Sequence, residues 1–183
     1  MKKIALLLTA LVFSLNLLSQ TIEPKPFEFP YKVFVYDLPT SSNGIDYRLY
    51  IRPPLRNPEN GEKSSSFYFL DALSLFVPSA AMSNNYEYFN YIPSAYFIGI
   101  GYSNEADGTP KEENRTRDYT PTQFTPPDST HFLASNPVDY VGSGGTDAFL
   151  NVLKEQIIPF VEKHFEVSES DRVLIGKSIS GLA

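Results

Sequence analysis

The chain has 183 residues, 42% hydrophobic and 20% charged, which is enough for one globular domain with a buried core. It has no cysteine, which excludes disulfide bracing, a thiolate nucleophile and a zinc–thiolate site. Its formal charge of −6 argues against a nucleic-acid phosphate footprint and fits a small neutral or hydrophobic ligand better.

The chain opens Met1-Lys2-Lys3 and continues with an apolar run over residues 4–13, the pattern of a secretory signal peptide. The run meets Ser14, Asn16, Ser19 and Gln20, and so falls short of the roughly 20 apolar residues a membrane span requires. Residues 1–20 are therefore read as an export leader without a stable membrane anchor. The mature protein is expected to start near Gln20 or Thr21, in the periplasm or the medium. Loss of Lys2 and Lys3 takes the formal charge to −8. The domain then occupies residues 21–183, beginning with a proline-rich lead-in over 21–30.

Two β-branched and aromatic runs follow, Lys32-Val33-Phe34-Val35-Tyr36 and Tyr47-Arg48-Leu49-Tyr50-Ile51. The turn-rich cluster Pro39-Thr40-Ser41-Ser42-Asn43-Gly44 separates them, which predicts an antiparallel hairpin. Ser66-Phe67-Tyr68-Phe69-Leu70, Ala95-Tyr96-Phe97-Ile98-Gly99-Ile100 and Arg172-Val173-Leu174-Ile175 read as strands buried on both faces. Residues 73–91 read as partly helical. The clearest helix covers about 146–164, where Phe149, Leu153, Ile157, Phe160 and Val161 share one face. Thr146 is its expected N-cap, Asp147 favours the positive end of its dipole, and Pro159 is expected to kink it. Helices alternating with buried strands predict an α/β, mostly parallel sheet led by an antiparallel N-terminal hairpin.

Residues 102–143 lack periodicity and read as one long loop, which calls for a role in shaping a site. Within it, Glu105, Asp107, Glu112, Glu113 and Asp118 lack calcium-loop spacing and are expected on a solvated surface. An internal Arg117–Asp118 pair is expected to pin the loop. His131 in this loop and His164 at the end of the long helix are assigned structural roles. No motif for a metal or a cofactor is present.

Gly176-Lys177-Ser178-Ile179-Ser180-Gly181 follows the last strand directly. That context is the one in which a G-x-S-x-G elbow places a nucleophilic serine on a sharp turn at the carboxyl end of the sheet. The fifth position holds Ser180 instead of glycine, a small residue that weakens the pattern without removing it. Five further segments are in keeping with the elbow. They are Phe69-Leu70-Asp71-Ala72, Phe97-Ile98-Gly99-Ile100-Gly101-Tyr102, Arg117-Asp118-Tyr119-Thr120-Pro121, Gly144-Gly145, and Ile157-Ile158-Pro159-Phe160-Val161-Glu162-Lys163. In this order, over roughly 33–183, they resemble the esterase branch of the α/β-hydrolases that includes S-formylglutathione hydrolase and the siderophore esterases.

The resemblance implies an α/β-hydrolase fold and a serine esterase in which Ser178 forms an acyl-enzyme from a small-molecule ester, without metal or cofactor. It implies an oxyanion hole made by the backbone N–H of Ile179 and one near Ala72, where the family carries glycine. In this fold the acid and the histidine follow the serine along the chain, and only five residues follow Ser178. The chain is therefore expected to be truncated after the nucleophile elbow, lacking the catalytic acid and histidine, and inactive or nearly so by itself. An acyltransferase of the same fold and a non-catalytic exported binding module are the alternatives. Neither the substrate's identity nor the oligomeric state is legible.

Overall fold

The computed structural model describes residues 31–56, 58, 61–105, 111–123 and 142–183. The expected export leader, the proline-rich lead-in, Asp107 and His131 lie outside the described residues. Strands β1 (Phe34–Asp37) and β2 (Tyr47–Arg52) form the predicted hairpin, with Phe34 opposite Ile51 and Asp37 opposite Arg48. The Asp37–Arg48 cross-strand pair is bidentate, at 2.6 and 2.8 Å. Strands β3 (Ser64–Phe69), β4 (Tyr96–Tyr102) and β5 (Val167–Ile175) complete a five-stranded sheet in the order β1-β2-β4-β3-β5. β2 is antiparallel to both its neighbours, and β3 is parallel to β4 and β5. Four strands thus run one way and β2 alone runs the other.

A helix layer covers each face, as the α/β pattern requires. Helix α1 (Ala72–Tyr88) packs on one face over a core of Phe69, Phe76, Ala80, Ala95 and Phe97. Two β4 glycines let it approach. A Cβ on Gly99 would lie 2.7 Å from Phe76, and one on Gly101 would lie 3.3 Å from Ala72. The fully buried Arg52 and Glu87 then tie the far end of α1 to β2, with the Arg52 guanidinium 4.4 Å over the Phe97 ring. On the other face lies the larger core, where Tyr47, Leu49, Ile51, Ile98 and Ile100 of the sheet meet Phe149, Ile157 and Val161.

Those last three residues belong to a long helical stretch built of α3 (Thr146–Val152), a π-turn (Leu153–Ile157) and α4 (Ile158–His164). The kink expected at Pro159 takes the form of this widened turn just before it. Proline has no N–H and its ring crowds the carbonyl four residues back, and a π-turn relieves both without ending the helix. Thr146 is not the N-cap. Gly145 occupies that position, its N–H bonded to the Arg117 carbonyl at 2.9 Å, and a Cβ there would stand 2.7 Å from that oxygen. The close crossing of two backbones admits only glycine, and Thr146 becomes the first helical residue. Asp147 lies in the first turn as expected.

Three further expectations are corrected. The long loop is not structureless, for it holds a 3₁₀ turn (Ser103–Glu105) and helix α2 (Glu112–Tyr119). α2 escapes periodicity analysis because its buried face is made of Asn114, Asp118 and Tyr119 and not of aliphatic residues. Glu105 and Asp118, placed by sequence on a solvated surface, are 5% and 1% exposed. Glu105 accepts from the Lys111 N–H and from the Asn114 side chain, both at 2.9 Å, so local donors compensate its burial. Finally, β5 begins at Val167, and its Val173 and Leu174 are 40% and 43% exposed. It pairs with β3 alone among the described strands.

Three phenols anchor α2 to the sheet. Tyr47 donates to Asp118 Oδ2 at 2.7 Å, and Tyr102 and Tyr119 lie beside it at 2% exposure or less. Burial, and then the Asp118 charge for Tyr47 and the like ionisation of the neighbouring Tyr119 hydroxyl for Tyr102, push these phenols above the ordinary tyrosine range. A folded-state pKa above the unfolded value of about 10 stabilises the fold fully below that pH, and the contribution is lost as pH rises beyond it. In alkaline spectrophotometric titration these three phenols should therefore ionise only together with cooperative unfolding. Reversible ionisation of all tyrosines near pH 10 with the fold intact would contradict this account.

Candidate active site

β5 ends at Ile175 and the chain turns through Gly176 and Lys177 to Ser178, whose φ of +59° lies in the left-handed region. A non-glycine residue held there costs on the order of 1–3 kcal/mol, and such strain concentrates at functional sites. A 3₁₀ helix (Ser178–Leu182) follows at once. The local sequence dictates the sharpness. A Cβ on Gly176 would stand 2.1 Å from the Ser180 carbonyl oxygen, so only glycine closes this turn. Ser180, where the resembled pattern has glycine, is 1% exposed and contributes a second closure. Its hydroxyl accepts from the Lys177 N–H at 2.8 Å and donates to the Lys177 carbonyl at 2.9 Å.

Facing this turn is a second strained one. At the end of β3, Asp71 has φ +53° and caps α1, so the Ala72 N–H lies in the first helical turn, among the amides a helix leaves without an internal partner. The Ile179 N–H stands in the same relation to the 3₁₀ helix. Arg115 of α2 holds Asp71 with a bidentate pair, Nε to Oδ1 at 2.7 Å and Nη2 to Oδ2 at 3.1 Å, and also reaches Glu112 at 3.0 Å. The Asp71 N–H donates to the Tyr119 hydroxyl at 3.3 Å. Burial works against the Arg115 charge, but the bonds to Asp71 and Glu112 outweigh it and hold its pKa above the usual arginine value.

The two turns share one cavity of about 320 Å³, lined by Asp71, Ser74, Leu75, Glu112, Arg115, Lys177 and Ser178. It sits at the carboxyl end of the parallel strands, where open α/β sheets bind ligands. Two cations and two carboxylates leave the lining with no net formal charge. Ala72 and Ile179 are buried, at 2% and 7% exposure, and neither lines this cavity; Ala72 lines a small neighbouring one with Asp71, Ser74 and Arg115. The Ala72 methyl packs toward the Gly99 and Gly101 positions of β4, so alanine in place of glycine occupies room that those glycines leave.

Arg117 and Asp118 make the expected internal pair, at 2.7 and 3.2 Å, and the Arg117 carbonyl takes the Gly145 N–H, so the pair does pin the loop. His164 is not brought to Ser178. Its Nδ1 lies 2.8 Å from the Phe160 carbonyl and its ring rests against Phe160. No histidine lines the Ser178 cavity among the described residues, and no group of three or more His, Asp or Glu there could hold a metal. Sequence reasoning missed Arg115, Tyr119 and Lys177. Forty-four positions separate Arg115 from Asp71, beyond the reach of any local pattern.

No protein-family model and no curated protein matches the chain. Solved structures do match its fold. The BES protein from Bacillus cereus is similar with a TM-score of 0.68 and 20% identity, over 90% of this chain and 58% of that one. A siderophore hydrolase, EstB, from Aspergillus nidulans is similar at 0.62 and 24%, over 88% and 52%. An IroE-like serine hydrolase from Shewanella oneidensis is similar at 0.60 and 22%, over 82% and 44%. The chain has the α/β-hydrolase fold, and it spans somewhat more than half the length of the first two structures.

The elbow geometry separates two glycines. Gly176→Ala should destabilise the protein by more than the ~1 kcal/mol of an ordinary glycine replacement. Gly181→Ala, whose Cβ would find its nearest neighbour at 3.7 Å, should fall within about 0.5 kcal/mol of wild type. Urea denaturation of both variants checks this, and equal midpoints would show the turn to be looser than described.

Proposed function

We propose that this α/β-hydrolase fold carries a serine carboxylic-ester hydrolase with Ser178 as nucleophile. The observation that supports it most is the left-handed Ser178 at the end of β5, bordering the same cavity as the left-handed Asp71 at the end of β3. A serine held this way presents its hydroxyl to the cavity with helical amides on both sides, the arrangement acyl transfer requires. The Ser178 Oγ attacks the ester carbonyl carbon while a base takes its proton. The oxyanion that forms is met by the Ile179 and Ala72 N–H groups. The leaving alcohol departs with the proton returned by the base, and water then hydrolyses the acyl-serine by the same steps in reverse order.

The base and its orienting carboxylate belong, on this reading, to residues following Ala183, in the order serine, acid, histidine. Arg115 acts as a positioning residue. Its bidentate hold on Asp71 fixes the turn that carries the Ala72 amide. The balanced charges of the cavity suit a neutral ester. Siderophore and carbohydrate esters fit this description, and the basic, apolar start of the chain supports an exported protein that meets such esters outside the cytoplasm.

Reading the coding sequence beyond the Ala183 codon is the first test, and a downstream carboxylate followed by a histidine is the expected result. In the protein so completed, Ser178→Ala should lower nitrophenyl-ester hydrolysis by about 10⁴-fold or more and abolish labelling by a fluorophosphonate. Arg115→Met should lower kcat with little change in KM, because it loosens an interaction made to the transition state. Undiminished hydrolysis in Ser178→Ala would reject the assignment.

A further inference from the structure

Asp71, held at φ +53°, has each of its polar groups engaged. Its carbonyl accepts from the Ser74 and Leu75 N–H groups, both at 2.9 Å, the bonds that start α1. Its two carboxylate oxygens take the Nε and Nη2 of Arg115. Its own N–H donates to the Tyr119 hydroxyl at 3.3 Å. A non-glycine residue stays in the left-handed region only where its surroundings over-determine it, and the release open to it is rotation of a flanking peptide. The peptide after Asp71 is built into the first turn of α1. The peptide before it carries the N–H that Tyr119 holds. Arg115 does not duplicate this hold, because it grips a side chain that is free to turn about its own single bonds while the backbone moves.

Arg115 and Tyr119 stand four positions apart on α2, the spacing that brings two side chains to one helical face. α2 thus meets a single residue of the facing turn at two points. The two grips differ in what supports them. Arg115 borders the Ser178 cavity, whereas Tyr119 is 0% exposed and its ring meets Phe149 of α3 edge-on at 5.4 Å. The phenol is clamped in the larger core, so its hydroxyl offers the Asp71 N–H an acceptor at a fixed position.

We infer that Tyr119 is a positioning residue for the reaction proposed at Ser178, a role that rests on that reading. Tyr119 does not touch the substrate. Its hydroxyl fixes the peptide before Asp71 and thereby the left-handed conformation from which the Ala72 N–H is aimed. An oxyanion donor acts on charge that develops in the transition state, so loosening its aim slows turnover without weakening substrate binding.

Tyr119→Phe removes the hydroxyl and keeps the ring against Phe149. In the 183-residue chain, hydrogen exchange followed by NMR should show the Asp71 amide exchanging about tenfold faster in this variant, measured relative to the amides of β4. In the protein completed beyond Ala183, Tyr119→Phe should lower kcat for a nitrophenyl ester about tenfold and leave KM within about twofold. Tyr47→Phe removes a phenol of the same core that bonds Asp118 and not Asp71, so it should retain the wild-type kcat even where it lowers the melting temperature. Unchanged exchange at Asp71 in Tyr119→Phe would overturn the inference. So would an equal fall of kcat in Tyr47→Phe, which would make the effect one of core stability. A Ser178-dependent rate that Tyr119→Phe leaves intact overturns this role alone, whereas undiminished hydrolysis in Ser178→Ala removes the esterase reading and this role with it.

Discussion

The site depends on the register of β3 against β5. Phe69 stands opposite Ile175, and one residue later the Leu70 N–H reaches the Ile175 carbonyl at 2.9 Å, so the two parallel strands end level with each other. From that shared edge each chain enters a turn through a left-handed residue, Asp71 after β3 and Ser178 after β5. A slip of one residue would turn every side chain of one strand to the other face and separate the turns. The two left-handed turns border one cavity because the hydrogen-bond ladder ends both strands at the same edge. No contact between the turns themselves is needed.

Two polar assemblies keep the helices where those turns require them. On the α1 face, Arg52 and Glu87 are fully buried together with Ser83, and the Leu55 N–H also reaches Glu87 at 2.8 Å. A buried pair of this kind contributes little net stability, but removing either partner leaves an uncompensated charge, so it fixes the position of the helix more than its strength. On the other face, Asp118 gathers the Tyr47 hydroxyl and the Arg117 guanidinium, and Arg117 passes the constraint to Gly145 and the start of α3. α2 belongs to the second assembly. One side of it presents Asp118 to the core and the other presents Arg115 to Asp71, so a helix without an aliphatic face links sheet packing to the geometry of the active-site turn.

These features explain which parts of the molecule could be read in the amino-acid order. β2 and β4 were legible because their runs are apolar and their neighbours are strong turn formers, and the sharp turn after β5 because Gly176 and small residues follow an apolar run directly. α2 was illegible because its buried residues are Asn114, Asp118 and Tyr119, whose hydrogen-bond partners, among them Glu105, Tyr47 and Asp71, composition does not reveal. The N-cap at Gly145 was misread as Thr146 because the deciding contact, the Arg117 carbonyl, is remote in sequence. β5 read as buried because Val173, Leu174 and Ile175 have the composition of an interior strand, although β3 is their one pairing partner among the described strands.

Backbone strain distinguishes the two ends of the sheet. Among the described residues three that are not glycine have positive φ, namely Asp71, Asn90 and Ser178. Asn90 is accounted for locally. The Asn90 N–H bonds the Glu87 carbonyl and the Tyr91 N–H bonds the Tyr86 carbonyl, an ordinary helix stop in which asparagine is well tolerated. Asp71 and Ser178 begin helices instead of ending them, and each is held by side chains recruited for the purpose, Arg115 and Tyr119 for one and Ser180 for the other. Strain of this kind, retained by dedicated hydrogen bonds and bordering a common cavity, fits the reaction site proposed above. At the opposite end of the sheet Asn90 is the one such residue among those described, and the helix stop accounts for it.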